Sequence, residues 1–210
     1  LGSINVANFF TESKLTNSSE PSIDWKQNID WSELGKVIKI STRFLDNVID
    51  ANYYATPEIE AMTKATRKIG LGVMGFADLL IRLRIGYATE TGRQVGETIM
   101  GFIRDVADKE STNLAEERGV FPAWESSDYA KVGQKFRNAC RLTVAPTGTI
   151  SMLADTSSGV EPTFALAWKK MNILEGETLY YVNKYFKKDA QSYNFYSDNL
   201  MEHISNGGSI

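Results

Sequence analysis

Long helical stripes alternate along this chain with short apolar runs flanked by glycine or proline. Such a pattern leaves few folds open, because amphipathic helices must cover a sheet whose strands are short and buried. Asp30 precedes Leu34, Val37, Ile38, Leu45, Val48 and Ile49 at helical spacing, which predicts a capped helix over Trp31 to Asp50. Pro57, suited to a first turn, opens a second helix reaching Lys68. The run from Ile69 to Phe76 reads as a buried strand and Ala77 to Leu83 as a helix. Val95, Ile99, Phe102, Ile103, Val106 and Ala107 then stripe a long helix over Thr89 to Arg118 that Gly119 closes. The expected class is α/β.

The remaining segments are polar or short. Residues 11–30 read as a polar surface loop, and 120–137 as a loop rich in Trp, Ser and Asp. Leu142 to Ala145 reads as a strand, Ile150 to Ala154 as the start of a helix, and Asp155 to Pro162 as a polar turn. Thr163 to Met171 reads as a buried strand emerging at Lys169 and Lys170. The aromatic tail, Thr178 to Ile204, is expected to be mostly helical.

Composition narrows the function classes. The 210 residues are 42% apolar and 23% charged, with a net charge of -3, which gives no electrostatic footprint for nucleic acid. No apolar run is long enough to span a bilayer, and no basic-then-apolar leader is present, so a cytoplasmic location is expected. One cysteine, Cys140, excludes an internal disulfide and a cysteine-rich metal site, and one histidine, His203, argues against a histidine-rich metal site or a triad. No metal is expected. The first residue is not Met and the last is an apolar Ile210 after a turn signal, so both ends read as cut from a longer polypeptide.

One stretch suggests chemistry. In Ala145-Pro146-Thr147-Gly148-Thr149-Ile150-Ser151 an apolar run turns through Pro-Thr-Gly-Thr into a helix start. Such a turn presents backbone N–H groups where the helix dipole is positive, and Thr147, Thr149 and Ser151 add hydroxyl donors. A phosphate fits there, and so does an ordinary turn with its N-cap. No Gly-Lys-Ser/Thr follows, so it is not a Walker A loop. The glycines Gly70, Gly72 and Gly75 have dinucleotide-fingerprint spacing, but no βαβ unit with a terminal acid accompanies them.

Five segments, in order, resemble the ribonucleotide reductase catalytic subunit, and most closely its adenosylcobalamin-dependent class. They are Leu1-Gly2-Ser3-Ile4-Asn5, Arg43-Phe44-Leu45-Asp46-Asn47-Val48-Ile49-Asp50, the run from Ile69 to Leu80, Ala145 to Ser151, and Ser157 to Pro162. The resemblance implies that residues 1–210 are a fragment of the catalytic barrel domain, the second half of a ten-stranded α/β barrel. It implies that Pro146, Thr147, Gly148, Thr149, Ile150 and Ser151 hold the phosphates of a ribonucleotide substrate. Leu1 and Gly2 are expected to line the substrate pocket.

The same resemblance implies thiyl-radical chemistry: removal of the ribose 3′ hydrogen, loss of the 2′ hydroxyl as water, and electrons from a cysteine pair. It implies adenosylcobalamin as cofactor, a thioredoxin-like reductant, the remainder of the polypeptide or a split-gene half as partner, and a homodimer when complete. No catalytic residue falls in this chain, because the family's radical cysteine lies upstream of the Leu-Gly-Ser-Ile-Asn motif. Cys140 matches none of the family's cysteines and reads as a small residue at a strand entry, and His203 as a surface helix residue. Glu161 reads as a turn residue, and Asp46, Asn47 and Asp50 as buried hydrogen-bonding groups. A non-catalytic nucleotide-binding or partner-binding remnant of the same fold is the alternative. Alone, a half-barrel exposes sheet edges and apolar surface, and is expected to aggregate.

Overall fold

In the computed structural model, which describes residues 1–12, 24–173 and 177–208, the chain opens with β1 (Gly2–Asn5) and passes into a 3₁₀ turn, Val6–Phe9, capped by the Asn5 side chain on the Ala7 amide at 3.2 Å. Helix α1 (Trp31–Ala51) follows, its first turn closed by Asp30 on the Glu33 amide. Helix α2 (Pro57–Thr66) carries Pro57 in its first turn and ends at Arg67 in the left-handed region. Next come β2 (Leu71–Met74), α3 (Phe76–Leu83) and the long α4 (Glu90–Arg118), closed by Gly119. A short α5 (Asp128–Lys131), α6 (Gly148–Leu153), a hairpin of β3 (Ala167–Ile173) and β4 (Glu177–Val182), and helices α7 (Lys184–Ser192) and α8 (Asp198–Ser205) complete the order.

Strands β1 and β2 are parallel, Gly2 opposite Leu71 and Asn5 opposite Met74. Parallel neighbours need a crossover, and α1 and α2 supply it. The core forms where α1 and α4 pack together and against the pair. Leu34 and Ile38 of α1 share one buried cluster with Val95, Ile99 and Ile103 of α4 and with Leu79, Leu80 and Leu83 of α3. Trp31 meets Phe102 edge-on at 5.0 Å. A second, smaller cluster of Ala167, Phe186, Met201 and Ile204 holds the hairpin to α7 and α8.

The structure corrects several sequence readings. The strand over Leu142 to Ala145 reduces to one parallel bridge, Leu142 to Leu71; Val144 is 65% exposed, with no strand beside it among the described residues. Helix α6 starts at Gly148 rather than Ile150. The strand read over Thr163 to Met171 begins only at Ala167, and Phe164 ahead of it is exposed. The tail is not helical throughout: Glu177–Val182 pairs antiparallel with Ala167–Ile173, because Leu-Tyr-Tyr-Val is a β-prone run that finds a partner edge. Within 11–30, Trp25 and Ile29 are buried rather than on the surface, Ile29 bridging to Phe10; residues 13–23 of that loop lie outside the described residues. Ile40, Phe44, Ile59 and Met62 on α1 and α2 are exposed, which is the apolar surface expected of a partial barrel.

Candidate functional site

The direction of the parallel pair orders the polar groups. Asn5 and Met74 end the two strands, and the chain turns at Gly75 into α3. Gly75 has φ +76, and a Cβ there would overlap Asn5 Oδ1 and come within 2.6 Å of Thr156 Oγ1, so only glycine closes this end. The turn from Asp155 to Gly159 lies directly against it: the Gly75 amide donates to the Ser157 carbonyl at 2.7 Å. Ligands of open α/β sheets sit outside the carboxyl ends of the strands.

The candidate loop hangs on that turn. Thr147 adopts φ 56, ψ 24, the left-handed region that β-branched residues avoid, and caps α6. Its Oγ1 accepts from the Gly159 amide at 2.7 Å, which leaves the Thr147 hydroxyl hydrogen free to donate outward. Gly159 has φ +46, and a Cβ there would stand 2.9 Å from the Ala145 carbonyl oxygen. The first amide of this helix to find an acceptor is that of Ser151, on the Thr147 carbonyl at 2.9 Å. The amides of Gly148, Thr149 and Ile150 have no acceptor among the described residues, and all three residues are exposed.

The six residues named in the sequence therefore divide. Pro146, Gly148, Thr149 and Ile150 face solvent, and Thr147 is half-buried with a hydroxyl hydrogen to spare. Ser151 is 1% exposed and its hydroxyl sits 2.8 Å from that of Ser158, so it braces the loop from behind. Leu1 and Gly2 lie at the other end of the strands. Leu1 is exposed beside an open concavity of about 600 Å³ whose lining includes Leu45, Ile49, Ile69 and Leu142. Gly2 and Leu142 both pair with Leu71, and Thr147 comes five residues after Leu142, so the structure does not bring Leu1 and Gly2 to the loop.

Other flagged side chains take structural places. Cys140 is exposed, its Sγ 3.4 Å from the Leu142 carbonyl, and His203 is exposed on α8. Lys169 bonds Asn206 at 2.6 Å, and the Glu161 amide closes a turn on Ser158. Among the described residues no group of three His, Cys, Asp or Glu side chains could hold a metal ion.

Two centres escaped the sequence reading in whole or part. Asp78, 2% exposed, accepts from Thr156 Oγ1 at 2.9 Å, the Ser157 amide at 2.8 Å and Asn183 Nδ2 at 2.8 Å. Its only signal was a lone acid in an apolar helix start. Asp46, fully buried, accepts from Arg67 Nε and Asn138 Nδ2, both at 2.9 Å, and from Arg118 Nη1 at 3.2 Å, with Arg137 Nε 3.5 Å away. Arg67 also grips Asp50. Hydrogen bonding to Arg67 holds the Asp50 carboxyl below the usual carboxylate range. Burial opposes the Arg67 charge, but bonds to Asp50 and Asp46 overcome it and raise its pKa.

A parallel α/β sheet piece with unpaired amides at a helix start beyond its carboxyl end leaves backbone donors open to an anion. The family model of the ribonucleotide reductase barrel domain matches residues 1–137 and 133–210, and the chain belongs to that family. It is 44% identical over all 210 residues to a vitamin B12-dependent ribonucleoside-diphosphate reductase of Thermoplasma acidophilum, and 40% identical over 210 residues to one from Mycobacterium tuberculosis. A ribonucleoside-diphosphate reductase subunit alpha of Chlamydia pneumoniae is 30% identical over 84% of the chain. The chain spans about a quarter of the length of the first two, 26% and 28%.

Proposed function

We propose that this chain supplies the substrate-phosphate loop of a vitamin B12-dependent ribonucleoside-diphosphate reductase. The observation that carries the reading is the trio of unpaired amides, Gly148, Thr149 and Ile150, beyond the carboxyl ends of β1 and β2. Those N–H groups and the Thr147 and Thr149 hydroxyls would receive the phosphate oxygens, with the positive end of α6 behind them. Ser151 holds the loop through Ser158. Nothing occupies the space where a Cβ of Gly148 would stand, so a phosphate can approach the backbone closely there. Fixing the phosphates orients the ribose, and orientation is the protein's contribution to radical chemistry.

The radical cysteine would come from elsewhere in the complete enzyme, together with a homodimer partner, a thioredoxin-like reductant and a cytoplasmic setting. Adenosylcobalamin would generate the radical. The described residues do not fit it: His203 is an exposed residue of a terminal helix, and the concavity near Leu1 is apolar and open. Among the described residues none is assigned to the corrin.

The test is a chimera of the Thermoplasma acidophilum reductase in which this chain replaces its matching stretch. With adenosylcobalamin and a dithiol it is expected to convert CDP to dCDP, and Gly148→Val is expected to raise KM for CDP at least tenfold by blocking the loop. A folded chimera that neither binds CDP nor turns it over would overturn the proposal in favour of a non-catalytic relative of the same fold.

A further inference from the structure

We infer that Asp78 is a positioning residue for the phosphate loop, acting through the turn from Thr156 to Gly159; this rests on the role proposed above for residues 146–150. Asp78 sits in the first turn of α3, buried, and makes no ion pair among the described residues. Its partners are three neutral donors. Oδ2 takes the Thr156 hydroxyl and the Ser157 amide, and Oδ1 takes the Asn183 side-chain amide. The Asp78 amide returns a bond to Ser157 Oγ at 3.2 Å, so the helix start and the turn satisfy each other reciprocally.

From the turn, two bonds reach the loop on either side of the unpaired amides. Gly159 N–H holds Thr147 Oγ1 at the start of α6, and Ser158 Oγ meets Ser151 Oγ one turn on. The Ser151 carbonyl accepts from the Thr156 amide at 3.0 Å, closing the ring. A threonine at φ 56 persists only where its surroundings over-determine it, and these bonds are that surrounding. The chain of contacts runs Asp78, Thr156 and Ser157, Ser158 and Gly159, then Thr147 and Ser151.

The donor set also says why an acid stands here. Both carboxylate oxygens face donors, so an asparagine would turn its NH₂ toward one of them. Asn183 cannot flip in response, because its Oδ1 already caps α7 on the Tyr185 and Phe186 amides at 3.0 and 3.1 Å. Asp78→Asn would therefore keep its oxygen on the two turn donors and set its NH₂ against Asn183, away from the loop, whereas Asp78→Ala removes the acceptor shared by Thr156 Oγ1 and the Ser157 amide.

The experiment uses the chimera described above, with KM and kcat for CDP and the inhibition constant of inorganic pyrophosphate as readouts. Asp78→Ala is expected to raise KM and the pyrophosphate inhibition constant together, by roughly tenfold, the scale of a lost bond to a charged group, with a smaller change in kcat. Thr156→Val, a milder break in the same chain, is expected to move both constants in the same direction. The double variant is expected to be no worse than Asp78→Ala alone. A purely structural role would lower the amount of active enzyme or its melting temperature and leave both constants in place. That result, in Asp78→Ala or, if it does not fold, in Thr156→Val, overturns the inference. If Gly148→Val raises KM while the Asp78 and Thr156 variants do not, the loop reading stands and only the positioning role falls. If Gly148→Val leaves both constants unchanged, the loop reading falls and takes this inference with it.

Discussion

Replacing Asp46 by asparagine should destabilise the fold by about 3 kcal/mol, the low end of the cost of breaking a buried ion pair. The low end applies because Arg67 keeps other acceptors: the Asp50 carboxylate, bonded twice, and the Asp46 backbone carbonyl at 3.0 Å. Arg137 is worse placed: its Nη1 reaches only the Arg118 and Gly119 carbonyls among the described residues, its buried Nε has no hydrogen-bond partner there, and its ion pair is with the Asp46 carboxylate 3.5 Å away. An asparagine that keeps its oxygen on Arg67 and Asn138 turns NH₂ toward Arg118 and Arg137, exchanging attraction for donor against donor. With a urea m-value of about 2–3 kcal/mol/M for a chain of this size, the midpoint should fall by about 1–1.5 M. Pulse proteolysis across a urea series at low protein concentration reads it without requiring a high-concentration sample. Asp50→Asn is the control. Asp50 is 54% exposed, so its loss should cost under about 1 kcal/mol. A loss below about 1 kcal/mol for Asp46→Asn, no more than for the control, would refute the view that this buried carboxylate holds three arginines together.

Acid should act through Asp50. Its folded pKa lies below the unfolded value of about 3.9, so its stabilisation is present above that value and is lost as pH falls through the depressed one. The urea midpoint should thus drop between about pH 4 and the depressed value, and Asp50→Asn should flatten that slope; an equal slope in both would refute the assignment. Gly75→Ala places a methyl on Asn5 Oδ1 at φ +76 and should cost at least about 2 kcal/mol, measured in the same urea series; a neutral result would mean that the carboxyl end of the sheet is loosely closed.

Helices α1 and α4 were legible because each buries one stripe, and burial at period 3.6 leaves a mark in sequence. Leu34, Ile38, Ile99 and Ile103 fall where the stripe put them. The pairing of β3 with β4 was not, because pairing between two segments leaves no mark in either segment alone. The strand after Cys140 was overread for a related reason: apolar residues 142–145 suit a strand, but only Leu142 has a neighbour to pair with among the described residues. Asp46 and Asp50, one turn apart, could be placed on one helix face from spacing. Their partners Arg67, Arg118 and the adjacent pair Arg137 and Asn138 come from three separate places, and no local pattern brings those together. Asp78 lies inside the run from Ile69 to Leu80 that carries the family resemblance, but an acid in the first turn of a helix is ordinarily accounted for by the dipole, and its sequence position gives no sign of its partners. Its actual partners are seventy or more residues away in the chain.

The buried carboxylates Asp46 and Asp78 sit at opposite ends of the parallel pair, and that separation can be tested. Asp46 ties down Arg67 and Asn138, which lead into β2 and into the segment that bridges it, so it works at the amino ends of the strands. Asp78 works past their carboxyl ends, where Gly75 and Thr156 meet. The strands between span roughly 10 Å, far enough for changes without shared partners to act independently. In the chimera, Asp46→Asn should therefore lower the melting temperature and leave KM for CDP where it was. Asp78→Ala should move KM by more than its effect on melting would suggest. The double variant should show the two effects added. If instead Asp46→Asn raises KM as Asp78→Ala does, the segment linking Asn138 to Thr147 transmits strain along its length, and the loop is positioned from both ends of the sheet rather than from one.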